Sequence, residues 1–517
     1  MRKKQHLLDM SLRPFLFLGV ALPGLLLSSS GNAGIRVDGE ASRTAAPAYA
    51  LQWRAAGFPS AAAAGQRYGA LPLERLLELE RYNARRQMKA MKIGIVRNAA
   101  GEAAGEALPP LRWIKTGNGG SVTRLVFSSP DAMALRVGLQ VMDLPAQAEL
   151  RFAGSLGGSP VVAMTTGREI AGLLDDTRVF WTPGTDGESQ TVEIYLPCGA
   201  DRRRVTLRAP QLSHLLANSL DDFKIMKNIG SSGACNIDAV CTVAELGKDY
   251  VQAKNAVAHM VFVSGGDSYV CTGTLLGDTD ASTQVPYFYS ANHCIENQTV
   301  ASTLSTYWGR ETTACGGAGV IGTQLVGGAT YLYSSAATDA LLLRLDRPAP
   351  AGAYFAGWDS SVLATGSTVV AVHHPQGDSK KVSIGQQVAR DASEITVGWL
   401  QGTTEGGSSG SAIFSKDYNG YHLRGGLFGG SASCANTGSV ANGDNRDDYS
   451  RFDVVFPNIR TYLAAVTPAP IHANGSQPLV RPGASPGAPP LASSAPKPVG
   501  ARRADPARPR QPDPFER

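Results

Sequence analysis

Two adjacent serines, Ser408 and Ser409, stand in the run Thr404-Glu405-Gly406-Gly407-Ser408-Ser409-Gly410-Ser411-Ala412, which leads into the apolar Ile413-Phe414. Glycines on both sides allow a tight turn that exposes one hydroxyl and aims backbone N–H groups beside it. Acyl transfer needs that setting, because a negative oxygen develops next to the nucleophile. A Gly/Ser loop alone is also an ordinary flexible turn, so the reading depends on partners elsewhere. His293 lies beside Cys294, directly after a strand-like run, and Asp339 precedes the apolar Ala340-Leu341-Leu342-Leu343. A serine hydroxyl becomes nucleophilic when an imidazole takes its proton, and a buried carboxylate fixes the imidazole's tautomer. Each residue has a bland alternative: a turn serine, a satisfied histidine, a solvated strand-end carboxylate. Taken as His293, Asp339 and Ser409, at separations of 46 and 70 residues, they supply every group that such a hydrolysis requires.

The elements that must position them are short strands. Residues 235–465 carry strand-like runs at 256–263, 269–276, 285–289, 340–345, 367–372, 395–399, 412–414 and 423–428. Gly-rich turns separate them, and no sustained helical period appears until 456–466. This pattern predicts an all-β sandwich or barrel. Upstream, residues 34–70 are Ala/Gly-rich and weakly patterned, a loose lead-in. Leu73, Leu76, Leu77, Ala84, Met88 and Met91 then recur among charges, predicting one amphipathic helix over residues 74–92. From Leu111 to about Leu216 alternating segments at 111–114, 121–127, 135–142 and 191–196 predict a second β-rich domain, followed by a polar connector over 218–233. Residues 466–517 are rich in Pro, Ala, Gly and Ser and are expected to be disordered.

Residues 34–227 carry a net charge of +5 and residues 228–465 one of −7. The best-patterned segment is therefore acidic, which argues against a nucleic-acid binder and predicts that the two segments attract each other. Residues 1–33 read as a secretory signal: Arg2, Lys3, Lys4 and Arg13 precede an apolar run too short to span a bilayer, and Gly31-Asn32-Ala33 offers a cleavage site. The product is expected outside the cell or in the periplasm, with no membrane attachment. Six of the seven cysteines fall between residues 235 and 434, an even set that argues for three disulfides among 15 possible pairings; Cys198 stands apart. No Cys-x-x-Cys pair supports a metal site, and no cofactor is expected.

With these motifs in hand, residues 230–465 resemble the lysyl endopeptidases, secreted bacterial serine proteases with a trypsin-like double β-barrel. The resemblance rests on Cys235-Asn236-Ile237-Asp238 with Cys241, Cys271-Thr272-Gly273-Thr274-Leu275, Ala291 to Cys294, Asp339, Ala356-Gly357-Trp358-Asp359, His373-His374-Pro375, the serine loop, and Asp447-Asp448-Tyr449-Ser450-Arg451. It implies Ser409 as nucleophile, His293 as base and then acid, Asp339 as orienting carboxylate, and the N–H groups of Gly407 and Ser409 as oxyanion hole. It implies bridges Cys235 to Cys434, Cys241 to Cys315 and Cys271 to Cys294. Asp447 aligns as the acid of the primary pocket, with Asp448 and Asp444 close in register, and Gly429 and Gly430 as its walls. The family carries His where this chain has Phe428, and a partner Trp without a secure counterpart here, so cleavage after Lys or Arg is expected rather than after Lys alone. Trypsin places an Asp before its nucleophile to receive a freed amino terminus. This chain has Ser408 there, so inhibition must come from the preceding domain: residues 34–227 are expected to be a propeptide, with processing at Lys224 or Lys227, ahead of a protease domain over 228–465.

Two rivals differ in class. Gly406-Gly407-Ser408-Ser409-Gly410 also fits an α/β-hydrolase elbow around Ser408, but only His422 and His472 follow, and the alternating βα pattern is missing. A protease-like binding protein would normally have lost one of the three site residues, and all are present. A serine protease of non-basic specificity remains the nearer alternative. Expected partners are protein or peptide substrates and the chain's own propeptide, with the enzyme itself a monomer.

Overall fold

Six antiparallel strands of the C-terminal region close into a barrel. Thr368–His373 pairs with Lys381–Arg390, and the ring continues through Glu394–Gln401, Asp447–Ser450, Gly420–Gly430 and Ala412–Asp417 back to Thr368–His373. Closure leaves none of these edges unpaired. A second set, Ser305–Thr312, Val257–Ser264, Asp267–Leu276, Tyr287–Ala291, Ala340–Leu345 and Ala329–Ser335, pairs in that order as a half-barrel. The chain is mostly β, a double β-barrel preceded by a β-rich domain. This computed structural model describes residues 34–464 except 48, 86–88, 159, 220–229 and 318–319. The signal-like segment, Met88, Lys224, Lys227 and the Pro/Ala-rich tail thus lie outside the described residues. Among the described residues no helix is long and apolar enough to cross a membrane.

The barrels pack on each other through Tyr250, Tyr289, Trp358, Phe414, Phe452 and Phe456. Three of these, Tyr250, Phe452 and Phe456, lie on helices. Phe452–Leu463 begins earlier than its periodicity suggests, because Pro457 reads as a first-turn residue yet sits inside the helix. Lys248–Asn255 is a further helix whose polar composition hides it; it buries Tyr250 and Ala253.

The N-terminal domain is two facing sheets. One contains Ala134–Asp143, Thr206–Leu215 and Met91–Asn98, the other Ser121–Ser128, Ser189–Leu196 and Glu149–Gly154. Leu125, Phe127, Leu135, Val137, Phe152, Val192 and Leu212 fill the space between them. The predicted helix is shorter than its pattern: it spans Leu73–Ala84, and Met91 and Lys92 lie in the strand Met91–Asn98. Leu76 and Leu79 are its buried face, whereas Leu73 and Leu77 are exposed.

The lead-in is also ordered where it meets the protease region. Arg36–Val37 pairs with Gly357–Asp359, and Glu40–Ala41 with Tyr354–Phe355. Two-residue strands carry no readable period, which is why the sequence shows only a loose segment there. Met91–Asn98 pairs with Asp267–Leu276, so one sheet runs from the N-terminal domain into the half-barrel. The attraction expected from the opposite charges has local counterparts in the ion pairs Arg36 with Asp417, Lys92 with Asp267 (2.5 Å) and Lys89 with Asp447 (2.5 Å), while Arg347 with Glu169 (2.8 Å) pairs in the opposite sense. Arg136 is fully buried at the same junction and donates to the Thr303 carbonyl (2.6 Å).

Candidate active site

His293 follows the strand Tyr287–Ala291, Asp339 precedes Ala340–Leu345, and these two strands pair with Ala291 opposite Ala340. That register sets imidazole and carboxylate side by side. His293 Nδ1 lies 2.7 Å from Asp339 Oδ2, and the His293 amide donates to Asp339 Oδ1 (2.9 Å). Asp339 takes a left-handed backbone (φ 51°), which costs a non-glycine residue about 1–2 kcal/mol. Its carbonyl accepts the Asn292 amide (3.0 Å), and its carboxylate is nearly buried. With the Nδ1 proton on the Asp339 side, His293 Nε2 is the acceptor for the Ser409 hydroxyl, 2.7 Å away. The bridge between Cys271 and Cys294 ties the residue after His293 to the central strand of the half-barrel. Those sulfurs lie near His293, but as a disulfide they offer no thiolate to a metal.

Ser409 comes from the other barrel, on the loop entering Ala412–Asp417. Its carbonyl accepts the Thr272 amide (2.8 Å), which fixes the loop against the half-barrel. Gly410 (φ 77°) sits where a Cβ would fall 2.1 Å from Ser290 Oγ and 2.6 Å from the Thr272 carbonyl, so only glycine allows this approach. Ser408 points the opposite way from Ser409: its Oγ lies 2.8 Å from His373 Nδ1 and accepts the Glu405 amide (3.1 Å). His373 Nε2 reaches Ser383 Oγ (3.0 Å), which donates to the Thr403 carbonyl (2.8 Å). Burial, with Lys89 and Lys381 nearby, pushes the His373 imidazole down to about 3, so it is neutral. Ser409, not Ser408, is the serine facing His293.

The three acidic candidates separate cleanly. Asp447 is fully buried below the serine loop, whereas Asp448 accepts from Thr396 Oγ1 (2.8 Å) and Asp444 offers its carbonyl to Ser431 and Asn436. Trp399 Nε1 and Thr404 Oγ1 donate to Asp447 Oδ2 (2.7 and 2.6 Å). Burial pushes the Asp447 carboxyl above the ordinary carboxylate range, opposed by Lys89, Thr404 and Trp399. Gly429 and Gly430 pair opposite Asp448 and Asp447; a Cβ on Gly430 would fall 2.6 Å from the Asp447 carboxylate. Phe428 packs its ring edge-on to His293, 5.9 Å between centroids.

Lys89 of the N-terminal domain lies against Asp447. Its Nζ lies 2.5 Å from Asp447 Oδ1, 2.6 Å from Thr404 Oγ1, 3.0 Å from the Thr404 carbonyl and 3.2 Å from the Ala432 carbonyl. Its carbonyl accepts the amide of Gly407 (2.5 Å), one of the two expected oxyanion donors. The sequence singles out Asp447 but gives no role to Lys89, Trp399, Thr404 or His373. Trp399 reads as one more strand residue, and only the tertiary approach of two strands brings its indole to Asp447.

The remaining bridges join Cys235 to Cys434 and Cys241 to Cys315. The first fastens the start of the protease region beside the serine loop, where the Gly233 amide donates to Glu405 (3.1 Å). Cys198 is a free, exposed thiol.

Residues 67–216 match the family model "Lysyl endopeptidase N-terminal domain" and residues 229–450 the model "Lysyl endopeptidase, C-terminal domain". A lysyl endopeptidase of Pseudomonas aeruginosa is 37% identical over 374 residues, 69% of this chain and 78% of that protein. Among solved structures, a thermostable serine protease from an extremophilic microorganism aligns at 14% identity over 38% of this chain and 92% of its own, TM-score 0.26. An HtrA-type protease with a tripeptide aligns at 16% over 42% and 62%, TM-score 0.29. With both domain models matched, and more than a third of the residues shared with the Pseudomonas protein across most of either chain, this chain belongs to the lysyl endopeptidase family of serine endopeptidases.

Proposed function

We propose that the chain is an exported zymogen whose protease region, residues 228–465, hydrolyses peptide bonds after basic residues. Ser409 Oγ attacks the carbonyl while His293 Nε2 takes its proton, and Asp339 holds the imidazole's other nitrogen and stabilises the imidazolium. The amides of Gly407 and Ser409 receive the oxyanion. His293 then returns the proton to the leaving amine, and water repeats the sequence on the acyl-enzyme. The observation that carries the basic specificity is the buried Asp447 with a lysine ammonium on it. Four oxygens stand within 3.2 Å of that nitrogen, a floor fitted to a compact ammonium more closely than to a planar guanidinium.

Export and a zymogen state are supported by three disulfides, which persist in oxidising compartments, and by the N-terminal domain lying across the site. The test compares kcat/KM for lysine, arginine and phenylalanine esters with and without Asp447→Asn. Lysine is expected to lead, and Asp447→Asn to remove the preference for basic residues. A secreted protein that begins near Gly34 and is fully active would overturn the zymogen part.

A further inference from the structure

Lys89 meets the protease as a substrate residue would. Its ammonium is on the pocket acid, its carbonyl is on the Gly407 amide, and the chain leaving it crosses the mouth of the site: Met91 lies beside Gly406, with 3.5 Å from the Met91 Cβ to a Cβ placed there. Met91–Asn98 then pairs antiparallel with Asp267–Leu276, Met91 opposite Val270 and Lys92 opposite Tyr269. Lys92 reinforces the alignment by pairing with Asp267 and lying over the rings of Tyr82 and Tyr269. On the other side, Asn83 at the end of the helix Leu73–Ala84 exchanges hydrogen bonds with the Lys92 backbone (2.8 and 3.0 Å). The helix end is thereby tied to the strand that follows Lys89 and Ala90. This lysine is nine-tenths buried, and Thr404, Ala432 and Asp447 of the protease region hold its ammonium.

We propose that Lys89 is an internal substrate residue: it closes the primary pocket of its own protease, and the bond from Lys89 to Ala90 is cut by Ser409 of the same chain. The inference rests on the proposed function above and adds to it a closing residue and a processing site distinct from Lys224 and Lys227. In the cut, Ser409 Oγ bonds to the Lys89 carbonyl carbon, the bond to the Ala90 nitrogen breaks, and that nitrogen leaves with the proton carried by His293. Water then adds to the ester, leaving a Lys89 carboxylate and regenerating Ser409. The strand Met91–Asn98 keeps its pairing after the cut, so the severed ends remain close to the site until the N-terminal domain departs.

The full chain is refolded with Ser409 intact, sampled over time, and read both by mass spectrometry and by hydrolysis of a benzoyl-lysine thioester. A fragment ending at Lys89 and a chain beginning at Ala90 are expected, absent from Ser409→Ala and from Lys89→Met and retained in Lys89→Arg. Lys89→Met should lose the early lag and hydrolyse the thioester at least about tenfold faster at first sampling, since a closed state taxes apparent activity by its population. Active protease arising with no end at Lys89 or Ala90, or an unchanged lag in Lys89→Met, would overturn the proposal. If the released wild-type enzyme ignores lysine substrates altogether, the basic-specificity reading fails instead. The Arg variant guards against misfolding: loss of both ends in it while Lys89→Met keeps them would also overturn the assignment.

Discussion

Ser408 Oγ and His373 Nδ1 lie 2.8 Å apart, both fully buried, in the position next to the serine that faces the imidazole. A neutral pair inside the protease region thus holds the loop that presents Gly407 and Ser409, with no call on a charged amino terminus. Ser408→Ala leaves the Glu405 amide and His373 without their partner, at a cost of about 1–3 kcal/mol, measurable as a lowered urea midpoint. Extra residues left ahead of Cys235 should leave kcat/KM for a lysine ester unchanged. A collapse of activity in such extended enzymes would show that the loop does depend on its terminus.

Three buried imidazoles lower the stability in acid. Burial holds His259 at about 3, His373 at about 3 with Lys89 and Lys381 adding to the effect, and His374 well below its ordinary value with His259 and Lys380 nearby. Each folded-state value is below the unfolded one, so the unfolded chain binds protons first as pH falls. Stability is therefore lost from about pH 6.5 downward toward pH 3. Each imidazole contributes a slope of about 1.4 kcal/mol per pH unit within that window. Urea unfolding of the Ser409→Ala chain between pH 7 and 5 should show this decline, and His373→Asn should remove one proton's share. An identical slope in His373→Asn would contradict it.

Removing the charge at Asp447 strips the counter-ion from a buried cation, which costs about 3–5 kcal/mol. Asp447→Asn should thus lower kcat/KM on lysine esters by about 10²–10⁴-fold. Trp399→Phe removes one donor from the same carboxylate, and a smaller loss is expected, concentrated in KM. Equal effects on lysine and phenylalanine substrates would mean that Asp447 acts on folding alone.

The bridge from Cys235 to Cys434 spans 199 residues of sequence, for which chain entropy gives about 5 kcal/mol. Cys235→Ser with Cys434→Ser should depress the thermal midpoint of the released protease more than the pair Cys271→Ser with Cys294→Ser does through entropy, since that loop spans only 23 residues. Any additional activity loss in the second pair reports the position of His293. Equal midpoints for the two double variants would refute the entropic account.

His293, Asp339 and Ser409 were legible because each sits at a strand end, where a short motif and its flanking apolar run travel together in sequence. Asp447 was legible only to within its neighbours Asp448 and Asp444. The choice depends on which strand face turns inward, and a one-residue slip reverses it. Lys89 was hidden inside an apparent helical period, because Met91 happens to continue the spacing of Leu73–Ala84 while belonging to the next strand. The strands Ser305–Thr312 and Lys381–Arg390 escaped notice for the opposite reason: barrel closure buries polar side chains such as Thr306, Arg310, Ser383 and Gln387, so no apolar alternation marks them. The contacts of Arg36–Val37 and Glu40–Ala41 come from a partner more than 300 residues away, which no local pattern encodes.

The most direct measurement digests an unstructured peptide library with the released protease and identifies the residue before every cut, alongside the Ser409→Ala protein. Cuts should fall after lysine, with arginine second, and Ser409→Ala should lose on the order of 10⁶-fold in turnover. Cuts predominantly after acidic or large apolar residues, or undiminished cleavage by Ser409→Ala, would contradict the account of Asp447 and Ser409 respectively.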